Sequence, residues 1–219
     1  MGKRGILAKI VDVGLVPVVR AGSPDEAMQA IDAIRAGGVP ILEITMTVPG
    51  AVGLMAEVSR RYGPEVVLGA GTVLDADTAR ACILSGAQFV VSPSLDLGTI
   101  ACCRRYSVPV FPGALTPTEV LAAWTAGADA VKVFPCGALG GASYIKSLKA
   151  PFPQIELIPT GGVSLKTAAD FMRAGSLALG VGADLVDTKA IREGQAQVVT
   201  ERARQYLQIV REARSATGA

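Results

Sequence analysis

The chain has 219 residues, of which 50% are hydrophobic and 18% are charged, and its formal net charge is +2. This composition is sufficient for one large core, whereas the absence of a basic block and an aromatic content of only 5% argue against a nucleic-acid partner. The sequence contains no histidine, which excludes histidine-dependent nucleophilic triads and histidine-ligated zinc.

The sequence shows the pattern of neither a membrane helix nor a signal peptide. No run approaches the roughly 18 apolar residues of a membrane helix, and the first residues lack the apolar stretch of a signal peptide. The four cysteines, at positions 82, 102, 103 and 136, form no CxxC pair. We therefore predict reduced thiols, a cytoplasmic location and no membrane partner.

The first elements are a short helix, a strand and a capped helix. Residues 6–13 form an amphipathic pattern that Gly14 ends, and Val16–Arg20 reads as a strand. Ser23 is the expected N-cap of the next helix, and Glu26 is expected to close a capping box with it. A second capping box is expected at Thr116-Pro117-Thr118-Glu119.

This strand–helix unit repeats along the chain. Strand-like runs begin near Val16, Ile41, Val66, Phe89, Pro109, Ala130, Ile155 and Ala178. Eight such units predict an α/β fold, a single-domain (β/α)8 TIM barrel over residues 1–219. Its parts are an N-terminal helix at about 6–13, the barrel at about 16–189 and a C-terminal helix at about 190–216. A doubly wound open sheet is the alternative, but it normally has fewer strands, and no GxGxxG motif is present.

One charged residue interrupts the apolar sixth strand, which spans residues 130–135. If Val131 and Val133 face the surrounding helices, alternation directs Lys132 and Phe134 into the barrel. Burial favours the neutral form of an amine, and a neutral lysine can attack a carbonyl to form a Schiff base. The structural alternative is an edge-strand lysine that reaches solvent.

The second strand carries a matching acidic residue. Glu43 interrupts the run Ile41–Thr47, and alternation directs Glu43, Thr45 and Thr47 inward. A buried carboxylate is costly unless it is paired, and Lys132 in the same interior could pair with it. The alternative interpretation is a purely structural ion pair.

Other strand ends carry groups suited to binding an anion. Arg20 ends the first strand and could hold a carboxylate or a phosphate. The seventh strand ends in Pro159-Thr160-Gly161-Gly162, followed by a helix that Ser164 is expected to cap, and the eighth carries Gly180-Val181-Gly182. Loops after strands seven and eight commonly bind phosphate in barrels.

Together these segments resemble the 2-keto-3-deoxy-6-phosphogluconate (KDPG) and 4-hydroxy-2-oxoglutarate (KHG) aldolases, a class I family of small trimeric barrels. The resemblance runs from about Val16 to Val186 and rests on several separate segments. They are Gly37–Pro49, Gly69–Thr72, Val91–Pro93, Phe111–Gly113, Thr116–Glu119, Val131–Pro135 and Pro159–Val163.

The resemblance implies a role for each site residue. Lys132 matches the Schiff-base lysine, and Glu43 matches the glutamate that moves protons. The implied substrate-binding positions are Arg20, Thr47, Thr72, Pro93, Phe134, Thr160, Gly161, Gly162 and Gly182. Neither a metal nor an organic cofactor is implied, and the implied assembly is a homotrimer.

The sequence departs from the family pattern at two places. Thr47 stands where some members have an arginine that contacts the substrate carboxylate, so Arg20 is expected to carry more of the anion binding. Many members have a serine after the glycines of the eighth strand, whereas this chain has Ala183 followed by Asp184. The change removes a hydroxyl donor and adds a negative charge, which weakens the expectation of a phosphorylated substrate.

The implied activity is cleavage of a small 2-keto-4-hydroxy acid to pyruvate and an aldehyde. KDPG would give glyceraldehyde 3-phosphate, and 4-hydroxy-2-oxoglutarate would give glyoxylate. Two alternatives remain at this point. One is a phosphate-binding barrel isomerase or synthase that uses the lysine as an electrostatic clamp, and the other is a non-catalytic barrel that binds a metabolite.

Overall fold

The computed structural model describes residues 1–217 as parallel strands alternating with helices. Residues 218 and 219 of the predicted domain lie outside the described residues. The strands are β1 (Leu15–Val19), β2 (Ile41–Thr45), β3 (Val67–Gly71), β4 (Phe89–Val91), β5 (Val110–Phe111), β6 (Gly113–Ala114), β7 (Val131–Val133), β8 (Leu157–Pro159) and β9 (Leu179–Val181).

Helices follow the strands as the repeat pattern predicts. They are α1 (Lys3–Val13), α2 (Pro24–Ala36), α3 (Ala51–Tyr62), α4 (Ala76–Leu84), α5 (Leu97–Arg105), α6 (Pro117–Thr125), α7 (Ala142–Lys149), α8 (Ala168–Arg173), α9 (Thr188–Arg192) and α10 (Gln197–Thr217). Single 3-10 turns lie at Gly63–Glu65 and Cys136–Leu139.

The strands close into a parallel barrel. One sheet has the order β5-β4-β3-β2-β1-β9, and a second has the order β6-β7-β8. Strands β5 and β6 are two halves of one barrel strand, separated at Pro112, whose carbonyl accepts a hydrogen bond from the Lys132 N–H. A bridge between Thr160 and Gly180 joins β8 to β9. The predicted barrel is therefore confirmed, and the open doubly wound sheet is excluded because its edges would not meet.

The barrel register places the two charged strand residues in its wall. Glu43 on β2 lies between Val18 of β1 and Gly69 of β3. On the other side, Lys132 of β7 lies between Gly113 and Ile158. The strands start within two residues of the predicted positions. As predicted, Glu43 and Lys132 lie in the wall of one barrel.

Aromatic side chains fill the barrel below these charges. The rings of Phe89 and Phe111 pack with their centroids 5.7 Å apart, and both side chains are buried. A Cβ at Gly69 would lie 2.2 Å from the Phe89 ring, so the ring occupies the space that a larger residue would need. The lower barrel is therefore a packed apolar floor, as expected for this architecture.

The C-terminal segment departs from the prediction. The single helix predicted at about 190–216 is instead two helices, α9 and α10. Gly194 lies between them with φ of +72°, a left-handed conformation that ends the first helix. The Asp187 side chain caps α9 by accepting a hydrogen bond from the Ala190 N–H at 3.0 Å.

At two predicted helix N-termini, the observed hydrogen bonds differ from those expected for the caps. The Ser23 hydroxyl accepts from the Glu26 N–H as expected, but the Glu26 carboxylate accepts from the Gly22 N–H at 2.8 Å and from Arg192 at 3.1 Å. Ser164 does not cap a helix, because α8 begins only at Ala168 and its N-cap is Thr167. The capping box of Thr116 is confirmed.

The four cysteine side chains lie in the protein interior. All four cysteines are free and buried. Burial raises the pKa of the Cys82 and Cys136 thiols to about 11, which disfavours the reactive thiolate. Within residues 1–217, no helix is both long and apolar enough to cross a membrane.

We predict that Thr116→Ala lowers the free energy of unfolding by about 1 kcal/mol, because it removes the side-chain half of the capping box at the start of α6. Denaturant unfolding would measure the change. Thr125→Ala, at the exposed end of the same helix, is the matched control and should change stability by less than about 0.5 kcal/mol. Equal effects of the two substitutions would show that the cap contributes nothing specific.

Candidate active site

A cavity of about 540 Å³ opens at the carboxyl ends of the barrel strands. This volume is in the usual range for small-molecule sites. Sixteen residues line it: Val18, Arg20, Thr72, Pro93, Lys132, Phe134, Thr160, Gly161, Gly162, Val163, Gly180, Gly182, Ala183, Asp184, Val186 and Thr188. They come from the ends of six barrel strands, the place where barrel enzymes carry their active sites.

Lys132 is the buried nitrogen at the base of this cavity. Its flanking residues Val131 and Val133 are completely buried, while the Lys132 side chain is 6% exposed and lines the cavity. Its Nζ lies 5.2 Å from the centroid of the Phe134 ring. The amine therefore faces a concave, partly aromatic space, which is the arrangement required of a lysine nucleophile.

Glu43 lies deeper in the barrel than the residues that line the cavity. Its side chain is 2% exposed, and its Oε1 has no hydrogen-bond partner among the described residues. Burial raises the pKa of Glu43 above its ordinary value, although the nearby charges of Lys132 and Arg20 act in the opposite direction. A carboxyl group with a raised pKa is suited to hold a proton and release it near neutral pH.

Two glycines make room for functional side chains. A Cβ at Gly71 would lie 2.0 Å from Glu43 Oε1, and a Cβ at Gly180 would lie 2.2 Å from Thr160 Oγ1. Any larger residue at either position would displace the side chain beside it. The glycines of β3 and β9 are therefore part of the site because of the space they leave.

Thr72 and Thr160 place hydroxyl groups on the cavity wall. Thr72 follows β3 with φ of +58°, a conformation that β-branched residues rarely adopt. Such strain is typical of functional positions. Thr160 is 8% exposed and belongs to the bridge that closes the barrel.

The loops after β8 and β9 form the outer rim of the cavity. Gly161 and Gly162 both have positive φ, at +79° and +85°. The Asp184 carboxylate, on the loop after β9, accepts hydrogen bonds from the Tyr206 hydroxyl and from the Leu165 N–H, the latter at 3.2 Å. This rim therefore contains a fixed negative charge.

The structure brings nearly all the predicted site residues together. Of those proposed to bind substrate, every one but Thr47 lines the cavity, and Glu43 lies beneath it. Thr47 is exposed, and its hydroxyl lies 2.7 Å from that of Thr45. Its predicted substrate contact stays a prediction, as do the roles of the other residues.

Sequence reasoning missed four residues of the cavity wall. They are Val18, Val163, Val186 and Thr188. Val18 could have been found by alternation, because it precedes Arg20 by two residues. In residues 1–217, no group of three or more cysteine, aspartate or glutamate side chains is placed to hold a metal ion.

Comparisons with known proteins agree with the geometry. The family described as KDPG and KHG aldolase matches residues 6–202. The chain is 33% identical to the 2-dehydro-3-deoxy-phosphogluconate aldolase of Treponema pallidum, over 90% of this chain and 94% of that protein. It is 35% identical to the 2-dehydro-3-deoxy-6-phosphogalactonate aldolase of Escherichia coli, over 78% and 83% of the two chains.

A solved structure shows the same fold with a trapped ligand. The KDPG aldolase of Legionella pneumophila, in which pyruvate was captured at low pH as a covalent carbinolamine intermediate, has a TM-score of 0.84 to this chain and is 26% identical to it. The similarity covers 91% of this chain and 96% of that one.

We predict a pH-dependent stability difference for Glu43→Gln. Glu43 binds its proton more tightly in the folded state than in the unfolded state, because its folded-state pKa is raised above 4.5. The resulting stabilisation is fully present below pH 4.5 and is lost as the pH rises through the folded-state pKa. The unfolding free energy of the wild type should therefore fall relative to that of the variant as the pH rises above 4.5. Denaturant unfolding across this range tests the sign.

Glu57→Gln is the control, because it removes an exposed carboxylate from α3. It should leave the difference from wild type nearly constant over the same range. If Glu43→Gln behaved like Glu57→Gln, or shifted in the opposite direction, burial would not dominate the titration of Glu43.

We also predict that Gly71→Ala destabilises the protein by about 1–3 kcal/mol, because the added methyl overlaps the Glu43 carboxyl group. Gly53→Ala on α3 is the matched substitution, since a Cβ there meets nothing within 4 Å. It should stabilise the protein by about 0.5–1 kcal/mol. Denaturant midpoints compare the two, and a tolerated Gly71→Ala would contradict the packing described.

Proposed function

The chain belongs to the KDPG and KHG aldolase family, and we propose that it cleaves a 2-keto-4-hydroxy acid reversibly to pyruvate and an aldehyde through an imine on Lys132. One observation carries this proposal. The Lys132 amine is buried in the barrel and faces a cavity large enough for a small keto acid, with the Glu43 carboxyl group nearby. A lysine that only formed a structural ion pair would not need such a cavity.

The first stage forms the imine. The Lys132 nitrogen attacks the C2 keto carbon of the substrate, and the former carbonyl oxygen takes a proton to give a carbinolamine. Loss of that oxygen as water then leaves a protonated imine. Glu43 would give and take these protons, because burial raises its pKa above the ordinary value.

The second stage breaks the carbon–carbon bond. A base takes the proton of the C4 hydroxyl, the C3–C4 bond breaks, and its electron pair moves toward the imine nitrogen to form an enamine. The aldehyde leaves, and C3 takes a proton, which restores the protonated imine. Water then attacks C2 to release pyruvate and regenerate the amine.

The cavity wall supplies the groups that would hold the substrate. Arg20 is the cation suited to the carboxylate of the keto acid, because a guanidinium binds carboxylates in a bidentate manner. The hydroxyls of Thr72 and Thr160 would hydrogen-bond the pyruvyl part, and Pro93 and Phe134 would form its apolar walls. KDPG, giving glyceraldehyde 3-phosphate, and 4-hydroxy-2-oxoglutarate, giving glyoxylate, are the candidate substrates.

We propose further that the enzyme is a homotrimer. The supporting observation is that three consecutive helices each carry an exposed leucine, namely Leu84 on α4, Leu97 on α5 and Leu121 on α6, which are 63%, 61% and 45% exposed. Exposed large apolar side chains can be covered by a subunit interface. The cytoplasmic location inferred from the cysteines stays a prediction.

We predict that Lys132→Ala and Lys132→Arg each abolish pyruvate formation from a 2-keto-4-hydroxy acid, while circular dichroism shows the fold intact. Alanine removes the nucleophile, and arginine keeps the charge but never becomes a free amine near neutral pH. A coupled lactate dehydrogenase assay would follow pyruvate.

Lys146→Arg, on the exposed face of α7, is the control and should retain wild-type turnover. If either folded Lys132 variant retained turnover close to that of the wild type, Lys132 would not be the nucleophile, and the proposal would be overturned.

A further inference from the structure

The Asp184 side chain contributes a negative charge to the wall of the active-site cavity. It lies on the loop after β9, beside Gly182 and Ala183, and its carboxylate contacts the loop after β8 at the Leu165 N–H. In barrels that act on phosphorylated substrates, the loops after the seventh and eighth barrel strands commonly hold the phosphate. In this chain those strands are β8 and β9, so Asp184 lies where a distal phosphate would be expected.

A backbone N–H group that could bind an anionic ligand already donates to Asp184. The Leu165 N–H, in the loop after β8, donates to Asp184 Oδ2 at 3.2 Å. The neighbouring Ser164 N–H donates to Thr167 Oγ1 at 2.9 Å. Both amide donors are therefore engaged within the chain, and Ala183 offers no hydroxyl to replace them.

The carboxylate is fixed in this position by a buried tyrosine. Tyr206 on α10 is completely buried, and its hydroxyl donates to the same Asp184 Oδ2. Burial and this hydrogen bond raise the pKa of Tyr206, so the hydroxyl keeps its proton and remains a donor. With Oδ2 held from two sides, Oδ1 is the oxygen left to accept hydrogen bonds from a ligand.

The arginine that contacts Asp184 is engaged within the chain. Arg202 donates to the backbone carbonyl of Asp184 at 2.9 Å, and its guanidinium also pairs with Asp187 at 3.2 Å. The basic side chains that line the cavity are Arg20 and Lys132, which the proposed mechanism uses for the keto-acid carboxylate and for the imine. A distal phosphate would therefore meet the Asp184 charge without a cation of its own among the lining residues.

From these contacts we propose that Asp184 is a specificity-determining residue, which selects 2-keto-4-hydroxy acids with an uncharged, hydroxylated distal end over those with a distal phosphate. A hydroxyl can donate to Asp184 Oδ1, whereas a phosphate dianion is repelled by it. This inference rests on the proposed aldolase function and names the substrate class of that site.

The wild-type enzyme tests the inference with a matched substrate pair. 2-keto-3-deoxygluconate and its 6-phosphate differ only in the distal group, and pyruvate formation gives kcat/KM for each. We expect kcat/KM to be higher for the unphosphorylated acid by about tenfold or more. A preference for the 6-phosphate would overturn the inference.

Asp184→Asn provides the second test, because the amide keeps the shape of the side chain without its charge. We expect kcat/KM for the 6-phosphate to rise by about tenfold, mainly through a lower KM, and kcat/KM for the unphosphorylated acid to fall severalfold. Asp170→Asn removes an exposed carboxylate from α8, outside the cavity, and should change neither value. Equal changes for both substrates in Asp184→Asn would indicate a general structural effect and contradict the inference.

The two proposals fail in different ways. If wild-type enzyme cleaves neither acid, the aldolase function fails, and the role of Asp184 fails with it. If it cleaves both and prefers the 6-phosphate, only the inference about Asp184 fails.

Discussion

The burial of two ionisable side chains in one barrel is the constraint on which the site depends. Lys132 and Glu43 are 6% and 2% exposed, on strands from opposite parts of the barrel wall. Removing a charge from water is expensive, and a buried pair seldom adds net stability. Burial raises the pKa of Glu43 and is the larger effect, while the charges of Lys132 and Arg20 lower it. The pair is therefore better explained by chemistry than by folding.

The barrel accommodates these groups by separating an apolar floor from a polar mouth. Below the charges, Phe89 and Phe111 fill the interior against Gly69. Above them, Gly71 leaves the space that the Glu43 carboxyl group occupies. Water is thus excluded from one side of the Lys132 amine, and the open cavity gives substrate access from the other. The rim carries the Asp184 carboxylate, which accepts a hydrogen bond from the buried Tyr206.

Much of this arrangement could be predicted from the sequence because it depends on local patterns. Apolar runs marked the strands, and charged residues within two of those runs marked Lys132 and Glu43. Sequence patterns say less where tertiary contacts decide. Strand β2 ends at Thr45, so alternation does not fix the direction of the Thr47 side chain. The contact between Asp184 and Tyr206 joins residues 22 positions apart and left no local pattern.

The central claim is that the Lys132 nitrogen forms a covalent imine with a keto acid. The most direct test is incubation with pyruvate and sodium borohydride, followed by peptide mass spectrometry. Borohydride reduces an imine to a stable secondary amine, so the account predicts one reduced pyruvyl adduct on the peptide that contains Lys132. The absence of an adduct, or adducts confined to surface lysines such as Lys146, would contradict it.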